Sequence, residues 1–163
     1  MSAAAPLDVV FFALRGLRCA LPLGVVRKVL PMRGITPVPL APLVMRGVAL
    51  VQGLILPVLD LAVCFQPGGG EDGGESIGSR LTRDKLLLVE TAPEAACGAV
   101  RVAIVVERGL ALGRVDEQYS RPPPARPSFL SATVVDAGGP ALLLDLERSL
   151  DYVRDAISTV MPS

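Results

Sequence analysis

The sequence predicts a mostly β protein of many short strands, arranged as two similar lobes and closed by a C-terminal helix. Three observations carry that prediction. Apolar runs are short and broken by 16 Gly and 15 Pro in 163 residues, the pattern of strands separated by turns. LPVLDLAVCF (56–65) is echoed by ALLLDLERSL (141–150), with Leu-Asp-Leu at 59–61 and again at 144–146. Finally, Leu146, Leu150, Val153 and Ile157 recur at i, i+4, i+7 and i+11 and share one face of a helix over 146–160.

In chain order, residues 9–14 and 18–22 read as a hairpin across Arg15-Gly16-Leu17. Leu23, Val26, Val29 and Leu30 stand at helix-like or bent-strand spacing before Pro31. Pro37, Pro39 and Pro42 remove N–H donors and hold an extended surface connection, with a single helical turn at 42–45. Residues 47–51 and 54–59 read as paired strands meeting at Gln52-Gly53. Four residues interrupt this very apolar stretch. Gly53 permits a tight turn, Pro57 marks a position that need not donate to a ladder, and Asp60 caps the next turn. Gln52 is left without a structural reason.

QPGGGEDGGESIGSR (66–80) has the composition of a flexible insert. Residues 85–90 and 100–106 read as further strands, RPPPARP (121–127) as an extended connector, and 141–144 as the last strand. Asp145 is placed as an N-cap with Glu147 in the first helical turn. The expected organisation is one domain over 1–163. Lobe one covers about 20–88, and lobe two covers about 89–150 plus the N-terminal strand.

Composition removes several function classes. Lys+Arg and Asp+Glu are both 16, which argues against the broad basic surface of a nucleic-acid binder. Mean hydropathy is +0.52, yet residues 47–65 carry Gln52, Pro57 and Asp60, and the apolar run 9–14 ends at Arg15. Neither suits a spanning helix of about 20 apolar residues. The start MSAAAPLDVV lacks a basic n-region. A soluble, cytoplasmic chain without direct membrane insertion is expected.

Cys19, Cys64 and Cys97 are scattered with no CxxC spacing and read as small buried hydrophobes. There is no His, so the usual general base and the commonest metal ligand are missing. Asp60 and Asp145 read as caps, and Glu71, Asp72 and Glu75 sit in the insert. No GxSxG or GxxxxGK[ST] occurs. No enzyme, cofactor or metal is expected.

The order of features resembles the CheW family, the coupling proteins of bacterial chemosensory arrays, from about Val9 to Val153. VVFFALRGLRCALPL matches the family's opening strand, Gly turn and strand. Val26-Arg27-Lys28-Val29-Leu30 matches its V-x-x-V-L turn. Pro39-Leu40-Ala41-Pro42 with the subsequent GVALVQGLILPVLDL matches its long central block. The second lobe is looser: VAIVVERGL carries Glu107 and Gly109 where the pattern has Asp and Val, and Ser149 replaces a Leu in the closing motif.

The resemblance implies two packed SH3-like five-stranded β-barrel lobes with short helical turns, a shared apolar core and a C-terminal helix. It also implies a non-enzymatic adaptor that links a methyl-accepting chemoreceptor signalling tip to the regulatory domain of a CheA-type histidine kinase. Other CheW-like proteins are further partners, and recruitment to receptor arrays would result. The implied kinase contact lies near Ile35, Pro37, Val38 and Arg46-Gly47, and the implied receptor groove near Val26, Leu30 and Gln52-Gly53.

Related sequences carry Asn-Leu-Arg-Gly where this chain reads Leu50-Val51-Gln52-Gly53. Gln52 offers no fixed charge, so an ion pair there is lost. A divergent accessory adaptor that engages one partner therefore stands beside a full coupling protein. The alternative reading is a β-barrel module that binds a small apolar ligand or an unrelated protein.

Overall fold

The computed structural model describes residues 6–65, 85–94, 98–116 and 127–160, and among these residues the chain forms ten strands, two short 3-10 turns and one α-helix. The strands are β1 (Leu7–Leu14), β2 (Leu17–Pro22), β3 (Val26–Pro31), β4 (Ile35–Thr36) and β5 (Met45–Val51). Then come β6 (Leu54–Leu59), β7 (Lys85–Glu90), β8 (Arg101–Val115), β9 (Leu130–Asp136) and β10 (Gly139–Leu144). The helix α1 spans Leu146–Val160. The expected insert at 66–80 and most of the connector at 121–127 lie outside the described residues.

One strand organises the rest. β8 is 15 residues long. Its residues 101–106 pair with β7, and its residues 107–115 pair with β1. The first sheet therefore runs β4-β5-β6-β8-β7-β3 and the second β8-β1-β2-β10-β9. The hydrogen-bonded path stays open, without a full barrel ladder, and the mostly β class with its C-terminal helix agrees with expectation. Where β8 passes between sheets, the Glu107 carboxylate accepts the Arg15 N–H at 2.5 Å and the Gly16 N–H at 3.3 Å. That fixes the β1–β2 turn against the crossover.

The Leu-Asp-Leu echo is structural. β6 runs parallel to β8 (Val58 opposite Ala103), and β10 runs parallel to β2 (Leu142 opposite Cys19). The Asp60 N–H donates to Val44 O at 2.7 Å and the Asp145 N–H to Phe129 O at 2.9 Å. Each Asp then caps the helical turn after it: Asp60 Oδ1 accepts from Ala62 N at 3.2 Å, and Asp145 Oδ1 from Arg148 N at 3.1 Å.

Two elements depart from the sequence reading. β8 continues nine residues past 106, through a segment whose Arg108, Gly109 and Gly113 mask its strand character. The strand β9 was not expected, because its solvent-facing positions break the apolar run. Residues 23–30 resolve into a 3-10 turn, Leu23–Val25, succeeded by β3.

Alternation along β8 sorts its side chains onto two faces. Val102, Ile104 and Val106 enter the main core with Phe12, Leu59, Leu87, Phe129 and the helix residues Leu146 and Val153. Ala103 and Val105 enter a smaller cluster inside the first sheet with Val58 and Leu86. A third cluster, around Phe11 and Val134, fills the second sheet. Complete burial of a side chain such as Ile104 stabilises by roughly 1.5–3 kcal/mol, and Val153 seats α1 on that same core.

Candidate partner-binding surface

The β5–β6 hairpin turns at Gln52 (φ 51°) and Gly53 (φ 81°), two left-handed residues in succession, as a type I′ turn requires. Arg15 and Gly16 (φ 52° and 75°) do the same between β1 and β2. Gln52 therefore has a structural setting, although a side chain at positive φ costs about 1 kcal/mol there.

This hairpin overhangs its sheet. β4 pairs with β5 only at Val48 and Ala49, and β8 meets β6 only at Val58 and Leu59. Residues 50–55 thus have neither neighbour. Along β6, Leu59, Pro57 and Ile55 share one face and pass from the main core through half-buried to exposed. Leu50 stands directly opposite Ile55, both are 71% exposed, and Leu54 adds 47%.

On the other side of β5, Ile35 pairs with Ala49 and Thr36 with Val48. Gly47 (φ 152°) makes this approach feasible. A Cβ there would stand 2.8 Å from the Thr36 carbonyl carbon and 3.0 Å from Pro37 Cα. Ile35 is half-buried, and Pro37 and Val38 are exposed. Beyond them Leu40 and Leu43 are 84% and 82% exposed, and Leu40 is itself left-handed at φ 61°.

The nine expected contact residues are only partly brought together. Ile35, Pro37, Val38 and Gly47 are neighbours along β4 and β5. Leu30 and Ile35 pack on the small cluster of the first sheet, whereas Val26 packs on the main core. Arg46 is engaged within the fold, with Nε 3.0 Å and Nη2 2.9 Å from Asp60 Oδ2. Gln52 and Gly53 stand at the hairpin tip.

Sequence reasoning missed Leu40, Leu43, Leu50 and Ile55. The register implied by a two-residue turn would have placed Leu50 opposite Ile55 on one face. Which face is buried was not readable.

An open groove of about 210 Å³ lies elsewhere, between Pro22, Val25 and Thr91 on one side and Ser131, Leu143 and Asp145 on the other. None of the nine expected residues lines it. Reactive chemistry is likewise not concentrated. Burial pushes the Cys19 thiol up to about 12, and burial also raises that of Cys64. Every buried side-chain nitrogen and oxygen among the described residues has a hydrogen-bond partner. Among those residues no helix is long and apolar enough to cross a membrane.

Comparison with known proteins fits this architecture. The family model for the CheW-like domain matches residues 8–154. Among solved structures, the scaffolding protein TtCheW from Thermoanaerobacter tengcongensis superposes with a TM-score of 0.67 at 22% identity, over 87% of this chain and 90% of that one. No curated protein matches by sequence. With its shared architecture and a family match over nearly its whole length, the chain belongs to the CheW-like family, non-enzymatic coupling adaptors of chemotaxis signalling.

Proposed function

We propose that the chain links the signalling tip of a methyl-accepting receptor to the regulatory domain of a CheA-type histidine kinase. The family match over residues 8–154 carries this reading. The kinase contact is assigned to Ile35, Pro37, Val38 and the Arg46-Gly47 segment, supported by their adjacency along β4 and β5. The receptor contact is assigned to Val26, Leu30 and the Gln52-Gly53 turn, supported by the projection of that turn beyond both neighbouring strands. The chain acts in the cytoplasm at receptor arrays, where other CheW-like proteins are additional partners.

A narrower version, an accessory adaptor that holds one partner only, is motivated by the uncharged Gln52. Affinity capture from native cell extract tests the reading. Recovery of a methyl-accepting receptor, a histidine kinase or both supports it, recovery of one alone selects the accessory version, and recovery of neither sinks it. The ligand-carrier alternative draws little support from an open groove of about 210 Å³, since small-molecule sites run from about 300 Å³ upward.

A further inference from the structure

The outer edge of β3 carries charge that the fold does not use. Among the described residues β3 pairs with β7 alone, so the backbone N–H and C=O groups along its other side have no ladder. Lys28 lies near one end of this strand, Lys85 stands opposite Pro31 at the other end, and Arg33 lies two residues beyond. All three are exposed, and none has a hydrogen-bond or ion-pair partner among the described residues. Arg27 and Arg101 add two cations around the same ladder, where they share one oxygen of Glu90 at 3.5 and 2.9 Å. Five cations thus meet one carboxylate in a chain whose net charge is zero. β9, the outer strand of the second sheet, has neither Lys nor Arg, so cations are not a general guard of the edges in this fold.

We propose that this edge accepts an extended acidic segment of a partner protein as an added strand, paired through the backbone and held by its carboxylates at Lys28, Arg33 and Lys85. The edge itself selects an extended occupant, since a helix satisfies its own backbone groups and would leave those of β3 unpaired. The spacing agrees. Six residues of strand span about 20 Å, so cations at both ends fit carboxylates at both ends of a segment rather than one compact anion. Val29, 49% exposed between them, offers an aliphatic contact to the centre of that segment. A basic segment is excluded because it would meet unpaired like charges. The inference goes beyond the adaptor reading, whose receptor contact uses the Val26 and Leu30 side chains rather than the outer backbone of β3.

Fluorescence anisotropy with the full chain tests this, using as probe a capped peptide in which Glu pairs flank Val-Thr-Val-Thr. The probe is expected to bind, and the version with Gln in place of every Glu to bind about tenfold or more weakly. Raising NaCl from about 50 to about 500 mM is expected to weaken the Glu probe more than about fivefold. In Lys28→Glu/Arg33→Glu the preference should invert, so that a Lys-flanked peptide binds more tightly than the Glu-flanked one. That gain also shows the variant to be folded. Amide hydrogen exchange read by NMR should slow about tenfold or more from Arg27 to Leu30 under saturating Glu probe, and stay unchanged along β9.

Equal binding of the Glu and Gln peptides overturns the inference, as does a bound probe that leaves exchange from Arg27 to Leu30 unaltered. Absence of saturable binding up to about 1 mM probe overturns it too, and assigns the cations to guarding this one edge against aggregation. A single-stranded oligo-dT that binds as tightly as the Glu probe overturns it in favour of a generic polyanion surface. None of these outcomes touches the adaptor reading, which stands or falls on capture of receptor and kinase.

Discussion

Arg46 places two guanidinium nitrogens on one oxygen of Asp60, Nε at 3.0 Å and Nη2 at 2.9 Å, while the other oxygen accepts the Ala62 N–H at 3.2 Å. Asp60 is 6% exposed and Arg46 is at the β5 bulge, so the pair ties that bulge to the turn after β6. Asp60→Asn keeps the shape and removes the charge. It is expected to lower unfolding stability by about 2 kcal/mol in urea titration. A loss below about 0.5 kcal/mol would assign Arg46 to the surface rather than to the fold.

Gly47 is expected to tolerate no side chain. Its φ of 152° and the Thr36 carbonyl beside it both exclude a Cβ. Gly47→Ala should cost about 2–3 kcal/mol through strain and displaced backbone. It should also weaken kinase binding if the β4 segment is that contact, which calorimetry on the folded variant reads separately.

Gln52 is expected to be replaceable with a gain. Its φ of 51° favours Gly or Asn at the first central position of a type I′ turn. Gln52→Gly or Gln52→Asn should raise stability by about 0.5–1 kcal/mol, visible as a higher melting temperature. Unchanged or lower melting for both variants would show that the Gln side chain contributes something the backbone geometry does not.

Asp136 sets an acid dependence. The Arg18 guanidinium, bonded to both its oxygens at 2.5 and 3.0 Å, holds the Asp136 carboxyl below its ordinary value. A carboxyl whose folded value lies below its unfolded one contributes stability that is complete above about pH 4. That contribution disappears as pH falls through the lower, folded value. The urea midpoint of Asp136→Asn should therefore fall less steeply than that of the wild type below about pH 4. Parallel curves would contradict the pairing.

Cys19 is fully buried and its thiol is pushed up to about 12. Iodoacetamide at about pH 8 should leave it unmodified in the native protein and alkylate it once the chain unfolds, since the thiolate is the nucleophile. Peptide mass mapping reads Cys19 apart from the other two cysteines. Rapid native labelling would mean that the main core opens far more readily than its packing implies.

Legibility in the sequence depends on range. Gln52-Gly53 announces its two-residue turn and the caps at Asp60 and Asp145 act within four residues, so local chemistry declares them; the first hairpin was read with Leu17 in its turn, whereas Leu17 already pairs with Leu14. The ladders of β6 to β8 and of β10 to β2 join residues 45 and more than 120 positions apart, and no local pattern encodes them. The candidate surface was half legible for the same reason. Gly47 and Ile35 lie inside or close to the recognisable central block. The exposure of Leu50 and Ile55, in contrast, depends on where β4 and β8 stop.

The continuous run from Arg101 to Val115 has a consequence for how this molecule can be divided. A cut near residue 107 would leave β1 and β2 in one piece and their partners, residues 107–115 and β10, in the other, so both pieces would carry unpaired edges, templates for aggregation rather than smaller domains. Melting one sheet also strips the ladder from the strand the other sheet needs. The chain should therefore unfold in a single cooperative transition, with no stable half-molecule on the way.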